Sequence, residues 1–142
     1  MSFLPATEIT ADALNVERTR MDLIAQNIAN AHTTKGPDGL PYQRRMAVFE
    51  SYLNEEVAKE NGGGSIGQSV RLAGITKDTT PGPRVYNPTH PHADEQGMVT
   101  LPNVKMAQEM VDLIAASRSY EANLSVIQTS RQMAQKALII GQ

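Results

Sequence analysis

The chain has 142 residues with a formal net charge of −2, and it contains no cysteine. A nearly neutral chain has no general electrostatic attraction to nucleic acid or to an anionic membrane, and the lack of cysteine excludes disulfide bonds, thiolate zinc sites and cysteine nucleophiles. Only 4% of the residues are aromatic, so one thick hydrophobic core is difficult to build.

The amino-terminal sequence MSFLPATEITAD lacks both the basic and the apolar segment of a secretory signal, so we expect no cleaved signal peptide. Uninterrupted apolar runs are only a few residues long, whereas a bilayer span needs about 20. We therefore expect a protein without a direct membrane span.

A first helix is predicted from Ala6 to Ala31, a segment with neither glycine nor proline. Thr7 or Thr10 is predicted to cap its start, and the turn-forming sequence GPDGLP follows its end. We assign residues 1–31 to this helical segment. Apolar residues at helical spacing predict one stripe, formed by Leu14, Met21, Ile24 and Ile28.

Asn27 and Asn30 occupy the last turns of this predicted helix, where a self-contained bundle would place leucine. Our hypothesis is that both amides pair with groups of a neighbouring subunit, since a buried amide discriminates against wrong registers. The alternative is a helix cap, a position that also favours asparagine.

The middle region, residues 32–102, holds every proline except Pro5 and every glycine except Gly141. Turn-forming sequences such as PDG, TPGP and NPTHP separate short segments that are typical of strands. The predicted strands are YQRRMAVF (42–49), VRLAGITK (70–77), RVY (84–86) and MVTL (98–101). The sequence NEEVAKENGGGSIGQS between the first two is predicted to be a flexible linker.

A long helix is predicted in residues 103–142, because no glycine or proline occurs from Asn103 to Ile140. Asn103 is predicted to cap it and Gly141 to end it. At ~1.5 Å per residue the helix would be about 55 Å long. Alternating steps of three and four residues predict a coiled-coil seam. The seam consists of Met110, Leu113, Ser117, Tyr120, Leu124, Ile127, Arg131, Ala134 and Leu138.

Outside this seam the long helix carries mainly uncharged amides, hydroxyls and alanines, among them Asn123. Amides and hydroxyls tolerate burial when they are paired. We therefore expect the terminal helices to be covered mainly by other chains and to become ordered on assembly. The alternative is a helical hairpin within one chain, with the rest of the long helix in solvent.

Two motifs resemble reactive sites but lack the necessary context. Gly62, Gly64 and Gly67 satisfy G-x-G-x-x-G, yet no buried strand precedes them, so we interpret them as linker. The segment THPHADE includes His90 and His92 at a metal-ligand spacing, but its prolines favour a solvated turn. We predict no catalytic residue, no cofactor and no metal site.

Four sequence blocks follow one another along the chain. The first is LNVERTRMDLIAQNIANAHTT. The others are GPDGLPYQRRMAVFE, VYNPTHPHADEQGMVTLPNV and EMVDLIAASRSYEANLSVIQTSRQMAQKALIIGQ. In this order they resemble the flagellar axial family of rod and hook proteins, and within it the proximal rod proteins, with Asn27, Asn30 and Thr33 at characteristic positions. The resemblance covers nearly the whole chain except residues 55–68. The histidines of THPHAD and Met98 depart from the family pattern.

The resemblance implies a mainly α fold with a small β-rich insertion, in which terminal coiled-coil helices flank a short-stranded middle region. It implies a non-enzymatic structural subunit of the proximal rod of the flagellar basal body, which polymerises through its terminal helices and transmits torque. Its partners would be other copies of itself, other rod proteins and the flagellar type III export apparatus. Its location would be the periplasmic rod.

The assembly interface expected from these considerations consists of Leu14, Met21, Ile24, Asn27, Ile28, Asn30, Thr33, Met110, Leu113, Ser117, Tyr120, Asn123, Leu124, Ile127, Arg131, Ala134 and Leu138. An alternative function is an exported helical regulatory or effector protein that binds one partner through its carboxy-terminal coiled coil. A metal-dependent hydrolase built on HPHADE ranks below both.

Overall fold

The computed structural model describes residues 4–53 and 68–140. The helices in this part of the chain are α1 (Leu4–Ala29) and α2 (Met106–Ile140). The strands are β1 (Arg45–Leu53), β2 (Gln68–Lys77), β3 (Arg84–Tyr86) and β4 (Met98–Thr100). Two helices therefore flank a small strand region, which confirms the predicted mainly α fold with a β-rich insertion.

Helix α1 begins earlier than the sequence predicted. It starts at Leu4, and Pro5 lies in its first turn, where the missing backbone N–H is tolerated because the first helical N–H groups have no partner within the helix. The predicted cap at Thr7 or Thr10 is wrong, since both residues lie inside the helix.

The carboxy-terminal end of α1 is closed by Asn30. Its Nδ2 donates to the Gln26 carbonyl oxygen at 2.8 Å, and the backbone N–H of Thr33 donates to the Asn30 carbonyl oxygen at 3.0 Å. The Thr33 hydroxyl donates to Asn30 Oδ1 at 3.3 Å. The structure thus gives Asn30 the capping role that the sequence offered as an alternative, through side-chain bonds to the last turn.

All four predicted strands are confirmed in position. β1 and β2 pair antiparallel, with Arg45 opposite Lys77 and a register shift between Val48 and Phe49. β1 starts three residues later than predicted and continues to Leu53. The predicted linker between these strands falls mostly in residues 54–67, outside the described residues, as does the G-x-G-x-x-G motif.

β3 and β4 form a second antiparallel pair, in which Val85 lies opposite Val99. The chain just before β3 crosses close to the chain just after β4. A Cβ on Gly82 would lie 1.8 Å from the Leu101 carbonyl oxygen, and the Leu101 N–H donates to the Pro83 carbonyl oxygen at 2.9 Å. Only glycine fits at this crossing without a backbone shift.

Helix α1 packs against α2 on one side and against the β1–β2 hairpin on another. Asn27, near the end of α1, contacts Glu109, near the start of α2. The covered stripe of α2 continues from there to Ala134, so the two helices run antiparallel. On the hairpin side, the hydroxyls of Tyr52 and Ser69 donate to the Asp12 carboxylate at 3.0 and 2.5 Å.

The stripe of α2 that α1 covers shares every second position with the predicted seam. At the positions between, the covered residue is the one immediately before the predicted residue. The covered and partly covered positions of α2 that repeat in steps of three and four are Met106, Glu109, Leu113, Ala116, Tyr120, Asn123, Ile127, Ser130 and Ala134. The predicted seam residues Met110, Leu124, Arg131 and Leu138 are exposed. Ala116, near the start of this stripe, is fully buried.

The buried apolar residues in the described part of the chain are few: Leu23, Ile24, Ala31, Val99, Pro102 and Ala116. The fully buried polar side chains there are Asn27, Ser69 and Glu109. A chain poor in aromatic residues has thus built a small core, and hydrogen bonds among buried polar groups connect its parts.

Candidate functional site

Asn27 lies at the centre of a polar junction between α1, β1 and α2, and only 1% of it is exposed. Its Nδ2 donates to the Arg45 carbonyl oxygen at 2.9 Å and to Glu109 Oε2 at 3.1 Å. Its Oδ1 accepts from the Arg45 N–H and from the Tyr42 hydroxyl, both at 2.9 Å. Two donors and two acceptor positions are the full capacity of an amide.

These bonds correct one sequence-based hypothesis. The Asn27 amide was expected to pair with a neighbouring subunit, but all its hydrogen-bonding positions are filled within the chain. The pairing with both backbone groups of Arg45 resembles that of an adjacent strand. Asn27 therefore attaches the middle region to α1, and the reason for an amide at this position is internal.

Glu109 is the acidic centre of the junction and is fully buried. Arg44 Nε donates to Glu109 Oε1 at 2.5 Å, and Arg44 also lies 3.5 Å from a carboxylate oxygen of Asp112. A buried carboxylate is costly unless it is paired and hydrogen-bonded. The guanidinium of Arg44 and the amide of Asn27 together supply those partners.

Burial raises the pKa of the Tyr42 phenol above its ordinary value, and the nearby positive charge of Arg45 opposes part of that shift. The phenol accordingly stays protonated at neutral pH and remains a hydrogen-bond donor to Asn27. Together, Asn27, Tyr42, Arg44, Arg45 and Glu109 are referred to below as the polar junction.

Asn103 connects the polar junction to the segment between β2 and β3. Its Oδ1 accepts from the Arg44 N–H at 2.7 Å, and its Nδ2 donates to the carbonyl oxygens of Asp78 and Thr80 at 2.9 and 3.0 Å. The prediction that Asn103 caps the long helix is wrong, because α2 begins at Met106 and the Asn103 side chain is used in these contacts. Asn103 joins separate chain segments.

A second feature is the outer surface of α2, a set of large apolar side chains that α1 leaves exposed. It consists of Met110, Val111, Ile114, Leu124, Val126, Met133, Leu138 and Ile139. Exposed apolar groups concentrated on one element mark interaction surfaces. Three residues of the predicted assembly interface belong to it, namely Met110, Leu124 and Leu138.

The other predicted interface residues are buried or partly covered within the chain, except for Arg131, which is exposed. Ile24 and Asn27 are buried. The partly covered ones are Leu14, Met21, Ile28, Asn30, Thr33, Leu113, Ser117, Tyr120, Asn123, Ile127 and Ala134. The expectation that Asn123 points away from the covered stripe is wrong. The interface itself stays a prediction for the full set.

Sequence reasoning missed Tyr42, Arg44 and Glu109 as members of the polar junction. Glu109 carried a detectable signal, because it occurs four residues before Leu113 and seven before Ala116, on a helical face that was otherwise uncharged. A single carboxylate on such a face indicates a specific partner. The identity of that partner, Arg44, is 65 residues distant in sequence and could not be deduced from local pattern.

The THPHADE segment forms a turn between β3 and β4, as predicted. Thr34 Oγ1 lies 2.8 Å from His92 Nδ1, so this turn contacts the loop after α1. Hydrogen bonds from the Met98 and Gln96 N–H groups, with the charge of Arg84, hold the pKa of the Asp94 carboxyl below its ordinary value. Within residues 4–53 and 68–140, no group of three or more potential ligands is arranged to hold a metal ion.

No helix in the described part of the chain has the length and apolar content needed to cross a bilayer.

Residues 95–140 match the family model described as "Flagellar basal body rod FlgEFG protein C-terminal".

Over almost its whole length, the chain is similar to proteins named "Flagellar basal-body rod protein FlgC". The relative from Borreliella burgdorferi is 41% identical over 99% of this chain and 98% of its own length. The relative from Yersinia enterocolitica is 39% identical over the full length of both chains. The relative from Bacillus subtilis is 37% identical over 99% of both chains. These relatives do not favour the alternative of a regulatory or effector protein.

Proposed function

Because the chain belongs to the FlgC family of flagellar basal-body rod proteins, it is a structural subunit of the flagellar rod, and we propose that it polymerises through its terminal helices. Its partners are other copies of itself and other rod proteins. The subunit lies in the proximal rod, in the periplasm, and its work is mechanical transmission of torque without catalysis. It reaches this location through the flagellar type III export apparatus.

The outer surface of α2 is the observation that carries this proposal. Its exposed apolar side chains recur from Met110 to Ile139, outside the stripe of partly covered residues on the same helix. Burial of apolar area is the dominant favourable term in association. Heptad-spaced helices of neighbouring subunits therefore cover this surface as coiled-coil partners, in a contact that repeats along the rod.

Head-to-tail contacts that do not close into a ring generate a helical filament. Many such contacts acting in parallel resist torsion, as torque transmission requires. In this arrangement the terminal helices form an inner tube, and the small middle region, held on α1 by the polar junction, lies outside that tube.

A matched pair of substitutions tests the surface. Ile114 on α2 and Ile75 on β2 are 55% and 52% exposed, so lysine at either position leaves the isolated fold nearly unchanged. Lysine is also a good helix former. We expect Ile114→Lys to place an unpaired charge in the subunit contact, and hence to abolish swimming and remove the subunit from purified basal bodies.

Ile75→Lys is the control and should support swimming and rod incorporation. Circular dichroism and urea unfolding verify that both variants fold, with unfolding free energies within about 0.5 kcal/mol of the parent. Normal rod incorporation of Ile114→Lys would contradict the proposed contact. Recovery of the parent chain only as a one-to-one complex with a single non-rod protein would contradict the proposed function.

A further inference from the structure

The pairing of α1 with α2 has few features that specify its position along the helix axis. The covered stripe of α2 combines small and polar residues with a few large ones, and it repeats every seven residues. A slip of one heptad keeps the same face of α2 toward α1 and displaces the helices by about 10 Å. Apolar repeats of this kind define the face of a helix better than its register.

The lengths of the helices permit such a slip in one direction. Since Asn27 contacts Glu109, the antiparallel arrangement leaves roughly one heptad of α2 beyond the first turn of α1. α2 continues to Ile140. Moving Asn27 one heptad along α2, to the level of Ala116, would thus leave the whole of α1 covered.

Glu109 is the single carboxylate on the covered stripe of α2. After the slip, Ala116 would face Asn27, and Arg44 would lose its 2.5 Å contact with Glu109. The slip would take Glu109 past the end of α1 at Ala29 and would leave Asn27, which is 1% exposed, and Arg44, whose side chain is 25% exposed, without this partner. Removing the partner of a buried polar or charged group is unfavourable, so the polar junction disfavours the slipped register.

We propose that the Arg44–Glu109 pair is a register lock, which selects one axial position of α2 against α1 and thereby fixes where the middle region and the outer surface of α2 lie relative to each other. The inference uses contacts within one chain and does not depend on membership of the rod.

Double electron–electron resonance on the isolated full-length chain tests the lock. The chain has no cysteine, so nitroxides can be attached at Asn15→Cys and Val111→Cys, both exposed positions. In the native register these positions are separated by about 15 Å along the axis, and by about 25 Å after the slip. The parent should give one distance; a broad or double distribution in the parent would overturn the proposal.

The double variant Arg44→Met with Glu109→Leu removes the charges and keeps side-chain volume. We expect the helix content to be retained and a second population to appear, in which the distance between the two labels is longer by about 9 Å. This increase is slightly smaller than the axial shift, because the labels are also separated laterally. The matched control is Arg71→Met with Glu50→Leu, which removes an ion pair of equal length whose side chains are 62% and 45% exposed. It should keep the single parent distance.

A folded Arg44→Met, Glu109→Leu variant with the single parent distance would overturn the lock. So would a second population in Asn103→Ala alone, because the register would then be set by the contacts of Asn103. If the double variant loses its helix content, Glu109→Gln decides: a second population supports the lock, whereas a single parent distance or loss of helix content refutes it.

Discussion

Asn27 and Asn30 are the same residue type one helical turn apart, and the structure gives them different tasks. Asn27 is buried with four hydrogen bonds, while Asn30 closes the end of α1 through the Gln26 carbonyl group. An amide suits both positions because it donates and accepts hydrogen bonds at the same time. The spacing of the two residues in the sequence did not show that Asn27 belongs to the polar junction and that Asn30 caps the helix.

Replacing each asparagine with alanine should separate these tasks. Asn27→Ala leaves several buried groups without partners, so we expect the free energy of unfolding to fall by more than about 2 kcal/mol. Asn30→Ala exposes one terminal carbonyl group that water can reach, and we expect a loss of about 1 kcal/mol or less. Urea unfolding with an unchanged m-value measures both losses; equal losses would show that the polar junction contributes no more than the cap.

At the scale of elements, the crossing between the segment before β3 and the segment before α2 decides how the middle region joins the long helix. Gly82 is in contact with the Leu101 carbonyl group, and Asn103 bonds the backbone on both sides. These backbone contacts join the segment before α2 to the strand region, beside the polar junction.

Gly82→Ala should be destabilising by about 1–3 kcal/mol, as for other overpacked sites, because a Cβ there would lie 1.8 Å from a backbone oxygen. Gly74→Ala is the matched control, since no atom lies within 4 Å of its Cβ position. It should be neutral or slightly stabilising. Thermal unfolding of the two variants measures the difference, and similar melting temperatures would show that the crossing relaxes without cost.

For the whole molecule, the distribution of contacts along α2 is uneven. The first turns of α2 bind the polar junction and include the fully buried Ala116, whereas Leu138 and Ile139 are each 74% exposed. Segments with few buried contacts open at lower free energy than the core. We now expect ordering on assembly mainly in the second half of α2.

Hydrogen exchange on the dilute chain and on assembled rods tests this expectation. Amides of residues 124–139 should exchange rapidly in the dilute chain and slowly in the rod, while those of residues 109–116 should be protected in both states. Circular dichroism should show a matching increase in helix content with assembly. Equal protection along α2 in the dilute chain, independent of concentration, would contradict it.

The sequence by itself determined the two helices, the positions of the four strands and the family. Long segments without glycine or proline, turn-forming sequences between strands and ordered family blocks are local signals, so they can be interpreted without knowing what packs against what. The β1 boundary was less accurate, because strand ends depend on the partner strand.

Only the tertiary structure decided which side of α2 is covered and what Asn27 binds. Neighbouring residues on a helix point about 100° apart, so a stripe containing Glu109 and one containing Met110 fit the same periodic sequence. The choice between them depends on Arg44 and Asn27, which are far from Glu109 along the chain. A buried charge needs a partner in space, and that partner becomes identifiable only when the chain has folded.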